Sequence, residues 1–161
     1  MTDRVRDQLK GLGIKDAPGR SQEIRDGLSV IRDFRNRLWS LEHYADMVRF
    51  VRSTISAELS RKLEHIINPP KAMGLAEDVS PDSIKWFVEY WWLASKDYSP
   101  DLYVASDNTV VASWWEKRSL IQVRFFSSGY VLASIRQAGK GEEGRSRFWM
   151  AARELPSSFV W

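Results

Sequence analysis

The sequence predicts an α+β fold: a long N-terminal helix or helical hairpin, one Trp-rich helix, and a four-stranded antiparallel β-meander. Three observations predict it. From Ser21 to Ile67 there is no proline, and apolar residues from Ile24 to Ile66 recur at a mean spacing of about 3.5. Ser80-Pro81-Asp82 opens a second helical segment crowded with Trp and Phe. From Asp107 to Ile135 three period-2 runs are separated by two short turns.

Residues 1–20 carry Gly11, Gly13, Pro18 and Gly19 among mixed charges, the punctuation of a mobile arm in which Val5, Leu9 and Leu12 leave room for one short helix. The 21–68 region follows as a coiled-coil-like helical unit. Its seam is Leu28, Ile31, Leu38, Leu41, Val48, Ile55 and Leu59, and a period near 3.5 keeps such a seam facing one partner. Asn68-Pro69-Pro70 stops it. Two arrangements compete. An unbroken helix would be ~70 Å long and would bury its seam by self-association. A break near Asn36 to Ser40 or Ser53 to Ser56 would fold it back on itself. The length argument favours a homo-oligomer.

Residues 71–161 form the α+β unit. Lys71 to Ser80 is a linker; Ser80 then caps a helix with Pro in its first turn and Asp82 near its positive end. That helix, Asp82 to Lys96, is apolar almost all round, so it is sandwiched or covers a sheet. The strands are Asn108 to Trp115, Leu120 to Phe126, Tyr130 to Arg136 and Arg145 to Ala152. Hydrophobic consistency requires a three-residue second turn ending in Gly129, because a two-residue turn would bring Arg136 to the apolar face.

Val110, Ala112, Trp114, Ile121, Val123, Phe125, Val131, Ala133 and Ile135 then share one face. Trp115, Arg124, Phe126, Tyr130, Arg136, Arg147 and Trp149 fall on the other and are the candidate partner-binding residues. Rings interleaved with guanidinium groups suit a protein partner, since Trp, Tyr and Arg are common interface anchors. They suit a nucleic acid equally, through base stacking and phosphate contacts. The alternative is that the N-terminal helices cover this face and leave nothing exposed.

Charge is partitioned along the chain: net +3 to Pro70, −4 from Lys71 to Trp115, and +4 beyond. A pI near 9.3 with an overall charge of only +3 is modest for a dedicated nucleic-acid binder. There is no Cys, which removes disulfides, thiolate nucleophiles and Cys-based metal sites. His43 and His65 are 22 residues apart on the helical region, and neither forms an i, i+4 metal pair. Gly139-Lys140-Gly141 lacks the remainder of a phosphate loop. The reading is therefore non-catalytic, with no cofactor and no metal. No apolar run approaches the ~18 residues that span a bilayer, so a cytoplasmic protein without membrane contact is expected.

The Ser-Pro helix start, Pro100 before Asp101-Leu102, the Asp107 to Trp115 strand with its Trp-Trp pair, Val123-x-Phe125, the Gly129 turn and Leu155-Pro156 carry a resemblance. From about Met73 to Phe159 the chain resembles a group of short, uncharacterised accessory proteins of bacterial and mobile-element genomes. The resemblance supplies a lineage and no reaction, ligand or catalytic residue; the long seam and the absence of catalytic groups favour a non-catalytic interaction protein of antitoxin-like, immunity-like or defence-associated accessory type that self-associates and binds a protein partner. Asp107-Asn108 stands where that group has Asp-Gly; Asn tolerates the same positive-φ geometry.

Overall fold

The computed structural model describes residues 20–68 and 78–156. The proposed mobile arm, most of the linker and the end of the resemblance at Phe159 lie outside the described residues. The helical region consists of three helices, α1 (Arg20–Trp39), α2 (Tyr44–Thr54) and α3 (Ala57–Ile67). A continuous coiled-coil helix is therefore incorrect, and breaks occur at both of the places where a hairpin reading puts them. Local hydrogen bonding explains them. The Thr54 hydroxyl donates to Phe50 O at 2.6 Å and the Ser53 hydroxyl to the same carbonyl at 3.1 Å, while Ser56 Oγ accepts from Leu59 N at 3.1 Å to start α3. Hydroxyl side chains offer the backbone a substitute for the helical ladder, and here they end one helix and cap the next.

The seam serves the interior. Ile31, Leu38 and Leu59 are buried, and Leu41, Val48 and Ile55 pack against the core; only Leu28 stands out, at 42% exposed. A 3.5-residue period arises equally from short amphipathic helices wrapped around a core, so period alone does not identify a coiled coil.

Helix α4 (Pro81–Ala94) forms where the sequence places it, with Ser80 Oγ accepting from Ser83 N and Ser95 ending it at φ 50°. It is apolar over most of its surface because it lies between layers, with Lys85 and Glu89 as its buried charges. Ile84, Phe87, Val88 and Trp91 join Val110, Trp114, Ile121, Val123 and Phe125 in one core that also holds Phe34, Met47, Phe50 and Leu63 of the outer helices. Phe34 stacks on Trp92 with ring centroids 3.8 Å apart. Buried Ser83 fixes α4 on the sheet, donating to Phe125 O at 2.6 Å and accepting from Val110 N at 2.7 Å.

The sheet has five antiparallel strands in sequential order rather than four. The additional strand is β1 (Asp101–Val104), followed by β2 (Val110–Glu116), β3 (Ser119–Phe125), β4 (Tyr130–Gln137) and β5 (Arg145–Ala151). Four residues between a proline and a turn are too few for alternation to be recognised; pairing with β2 and contact with α3 hold them extended. The expected register is otherwise present, with Val110 opposite Phe125 and Phe125 opposite Val131. Asn108 has φ 66° in the turn before β2.

Gly129 closes the second hairpin at φ +89°, and a Cβ there would stand 2.9 Å from the Trp86 ring. Its carbonyl also accepts from Ala152 N at 2.7 Å. Gly129→Ala therefore combines a left-handed backbone cost with displacement of Trp86. We expect a loss of about 1–3 kcal/mol, read as a lowered urea midpoint at unchanged slope.

Candidate functional site

The face of the sheet opposite α4 is uncovered. Trp149 is 64% exposed, Trp115 58%, Tyr130 57% and Tyr103 46%, whereas Trp114, the neighbour of Trp115 on the same strand, is 4% exposed. Alternation along extended strands produces this contrast: successive side chains point to opposite faces, and only one face meets α4. The arrangement in which helices cover both faces is thus not the one adopted among the described residues.

Strand register sorts this face into rows. Tyr103, Val111, Arg124, Leu132 and Trp149 are cross-strand neighbours from β1 to β5. Beside this row Phe126 stacks on Trp149 with centroids 5.2 Å apart, and the Arg124 guanidinium lies 5.1 Å from the Phe126 centroid. Tyr130 occupies the same end, opposite Ala151. A central row of Ser113, Gln122, Ser134 and Arg147 is polar. The far row holds Trp115, Leu120, Arg136 and Arg145.

Arg124, Phe126, Tyr130 and Trp149 are therefore brought together. Trp115 and Arg136 share their face but lie at the other end, since the four residues from Leu120 to Arg124 span ~13 Å at 3.3 Å per residue. Arg147 sits between the two groups on the edge strand β5.

The ends differ in charge. Arg124 Nη2 lies 2.6 Å from Asp107 Oδ1, and its Nε donates to Thr109 Oγ1 at 3.0 Å. This end is an aromatic cluster with its cation neutralised. Burial pushes the Asp107 carboxyl up, but hydrogen bonds from Arg124 and Thr109 and the Arg124 charge outweigh it and hold the carboxyl below the usual range. At the far end Lys117, Arg118, Arg136 and Lys140 are exposed, and Arg145 and Arg147 adjoin them on β5. The nearby acids are Glu142, which pairs with Arg145 at 3.7 Å, and Glu143.

Tyr103, Asp107 and, at the basic end, Lys117, Arg118, Lys140 and Arg145 are absent from the sequence-derived set, which does hold Arg136 and Arg147. Tyr103 was hidden with its unrecognised strand. Asp107 shows only as a turn residue until β2 and β3 pair, although it stands two positions before Thr109, whose buried hydroxyl bonds its carboxylate. A second missed group lies on the helical side. Glu89 of α4, 3% exposed, is 3.1 Å from Arg35 Nε and 3.1 Å from Arg153 Nε, and accepts from Trp39 Nε1 at 3.2 Å. His43 and His65 are both exposed, and among the described residues no three His, Cys, Asp or Glu side chains are grouped to hold a metal ion. No described helix is long and apolar enough to cross a membrane.

Comparison with protein-family models, with curated proteins and with solved structures finds no match for this chain.

The Asp107–Arg124 pair makes a pH-dependent prediction. A carboxylate whose folded pKa is depressed stabilises the fold above its unfolded pKa, and the contribution disappears as pH falls through the folded value. Asp107→Asn should therefore be less stable than the parent at neutral pH, by under about 1 kcal/mol because the pair is exposed. The two proteins should converge in thermal melts as the carboxylate of the parent becomes protonated. A stability difference that persists in acid would assign the effect to the turn rather than to the ion pair.

Proposed function

We propose that this chain is a non-catalytic interaction protein that docks a protein partner on the open face of its sheet, an accessory role of antitoxin-like, immunity-like or defence-associated type. The observation that carries the reading is that Tyr103, Trp115, Tyr130 and Trp149 are all more than 45% exposed on one face of a sheet whose other face builds the core. Large exposed rings on a rigid strand framework cost solubility and add nothing to folding, and they are the side chains that most often anchor interfaces. The neutral aromatic end supplies an apolar anchor. The basic end selects a partner with an acidic flank. Self-association is not required, because Ile31, Leu38 and Leu59 of the seam are occupied within the chain.

The test is photo-crosslinking in the native cell, with a photoreactive residue at Trp149 and, as a control, at exposed His65 of α3. A discrete protein adduct from position 149, absent from position 65 and lost when Tyr130→Ala is added, supports the reading. Adducts at position 65 alone, or none at 149, would overturn it. Once the partner is in hand, Tyr130→Ala and Trp149→Ala should each weaken binding by ~1–3 kcal/mol while leaving the melting temperature within a degree or two.

A second reading has its own support: Arg136, Arg145 and Arg147 share the basic end of the face with exposed Trp115, two to three strands away, the composition of a single-strand nucleic-acid groove. Filter binding across salt separates the two. Phosphate contacts give log K falling with log salt, and Arg136→Ala or Arg147→Ala should each reduce that slope by roughly 0.7 for a single strand. A flat salt profile would remove this reading and leave the first.

A further inference from the structure

A second site lies on the helical side, away from the open sheet face. A cavity of about 460 Å³ opens between α1 and the 3-10 turn Ala152–Glu154 that follows β5. Its size is within the ~300–1,000 Å³ typical of small-molecule sites. Leu28, Ile31 and Trp39 give it an apolar wall, and Arg32, Arg35, Asn36 and Arg153 give it donors. No acidic side chain lines it among the described residues.

The charge balance is the reason to read it as a binding site. A structural ion pair needs one cation for a carboxylate. Here two guanidinium groups, Arg35 and Arg153, share the single buried Glu89, and Arg32 adds a third on the same wall. Arg35 Nε stands 3.1 Å from Glu89 yet is buried without a hydrogen-bond partner among the described residues, and the side chain is only 27% exposed. Arg153 engages Glu89 through Nε and Nη2, leaving Nη1. The Glu89 carboxylate in turn accepts two hydrogen bonds from Arg153 and one from the Trp39 indole. What remains is a partly enclosed excess of positive charge with unused, pre-positioned donors, beside an apolar surface that includes the exposed Leu28 side chain. Burial, and to a lesser degree the neighbouring Arg153 charge, push the Arg35 guanidinium below its ordinary value against the opposing pull of Glu89.

We propose that this cavity binds a small organic oxyanion, a phosphate or carboxylate group on an apolar or aromatic frame. The oxyanion accepts from the free nitrogens of Arg35 and Arg153 with Arg32 closing from the rim, and the frame lies along Leu28, Ile31 and the Trp39 ring. Guanidinium donors in a fixed fork suit either oxyanion.

Calorimetric titration of the full chain with phenyl phosphate, benzoate, inorganic phosphate and benzyl alcohol tests this. Phenyl phosphate or benzoate is expected to bind, and whichever is tighter identifies the headgroup. Inorganic phosphate should be at least about tenfold weaker and benzyl alcohol silent, since each lacks one half of the ligand. Arg32→Ala lies outside the Glu89 cluster and should leave the free protein's melting temperature unchanged, yet weaken the tighter ligand about tenfold, the worth of one charge-assisted hydrogen bond. Leu28→Glu should abolish binding by placing a carboxylate at the rim. No binding by either aromatic anion at millimolar concentration, equal binding of inorganic phosphate, or indifference to both substitutions would overturn the proposal.

Discussion

Much of the architecture hangs on one buried carboxylate. Helix α4 buries two charged side chains, Lys85 and Glu89, among its apolar residues, and a carboxylate at 3% exposure is untenable without partners. Its partners come from two separate parts of the chain: Arg35 and Trp39 from α1, and Arg153 from the turn after β5. The interaction thus fixes the first described helix and the last strand to the same point on the central helix. Trp86 extends the arrangement, with Arg153 5.0 Å over its ring and Trp39 packed edge-on at 4.7 Å. Trp86 in turn lies against Gly129, so the second hairpin is seated on the same group. Removing Glu89 would strand two partly buried guanidinium groups, and its role in orientation is larger than the pairwise attraction alone suggests.

That anchoring leaves the sheet with two unlike faces. One is sealed by α4 through Ser83 and a set of interlocked rings, among them Trp91 against Trp114 at 5.1 Å. The other has no layer over it among the described residues, and its side chains segregate into a neutralised aromatic end and a basic end. A sheet used only as scaffolding would carry small polar residues there. Tyr103, Tyr130, Trp115 and Trp149 instead present large, stiff, amphipathic groups whose strand positions are set by the register of the core behind them. Geometry selected by packing on one face thereby sets where the exposed rings and guanidinium groups stand on the other.

The alternation in Asp107 to Ile135 made the sheet legible, down to the three-residue turn at Gly129, because a register error would have driven Arg136 into the core. The cap at Ser80 and the turn at Asn108 were legible for the same reason, each depending on a local rule. Helix breaks at Ser40 and Ser56 were weaker signals, since no glycine or proline marks them and hydroxyl-to-backbone bonds produce them. The seam misled because amphipathic spacing records that a helix has a buried side, not what buries it. Strand β1 was too short to show a period. Most of the functional geometry that escaped the sequence involves charges paired across long separations. Asp107 with Arg124, and Glu89 with Arg35 and Arg153, look like ordinary surface charges until the fold brings them together.

The central claim is that one sheet face is bare in the free protein and available to a partner. Residue-resolved oxidative labelling of the native chain, read by mass spectrometry, tests it most directly. The account predicts that Trp115, Trp149 and Tyr130 are modified at rates near those of the unfolded chain, while Trp91 and Trp114 stay protected until unfolding. Rates should not change with protein concentration. Protection of Trp149 and Tyr130 to the level of Trp91 in the free protein would show that the face is already covered, and would contradict the account.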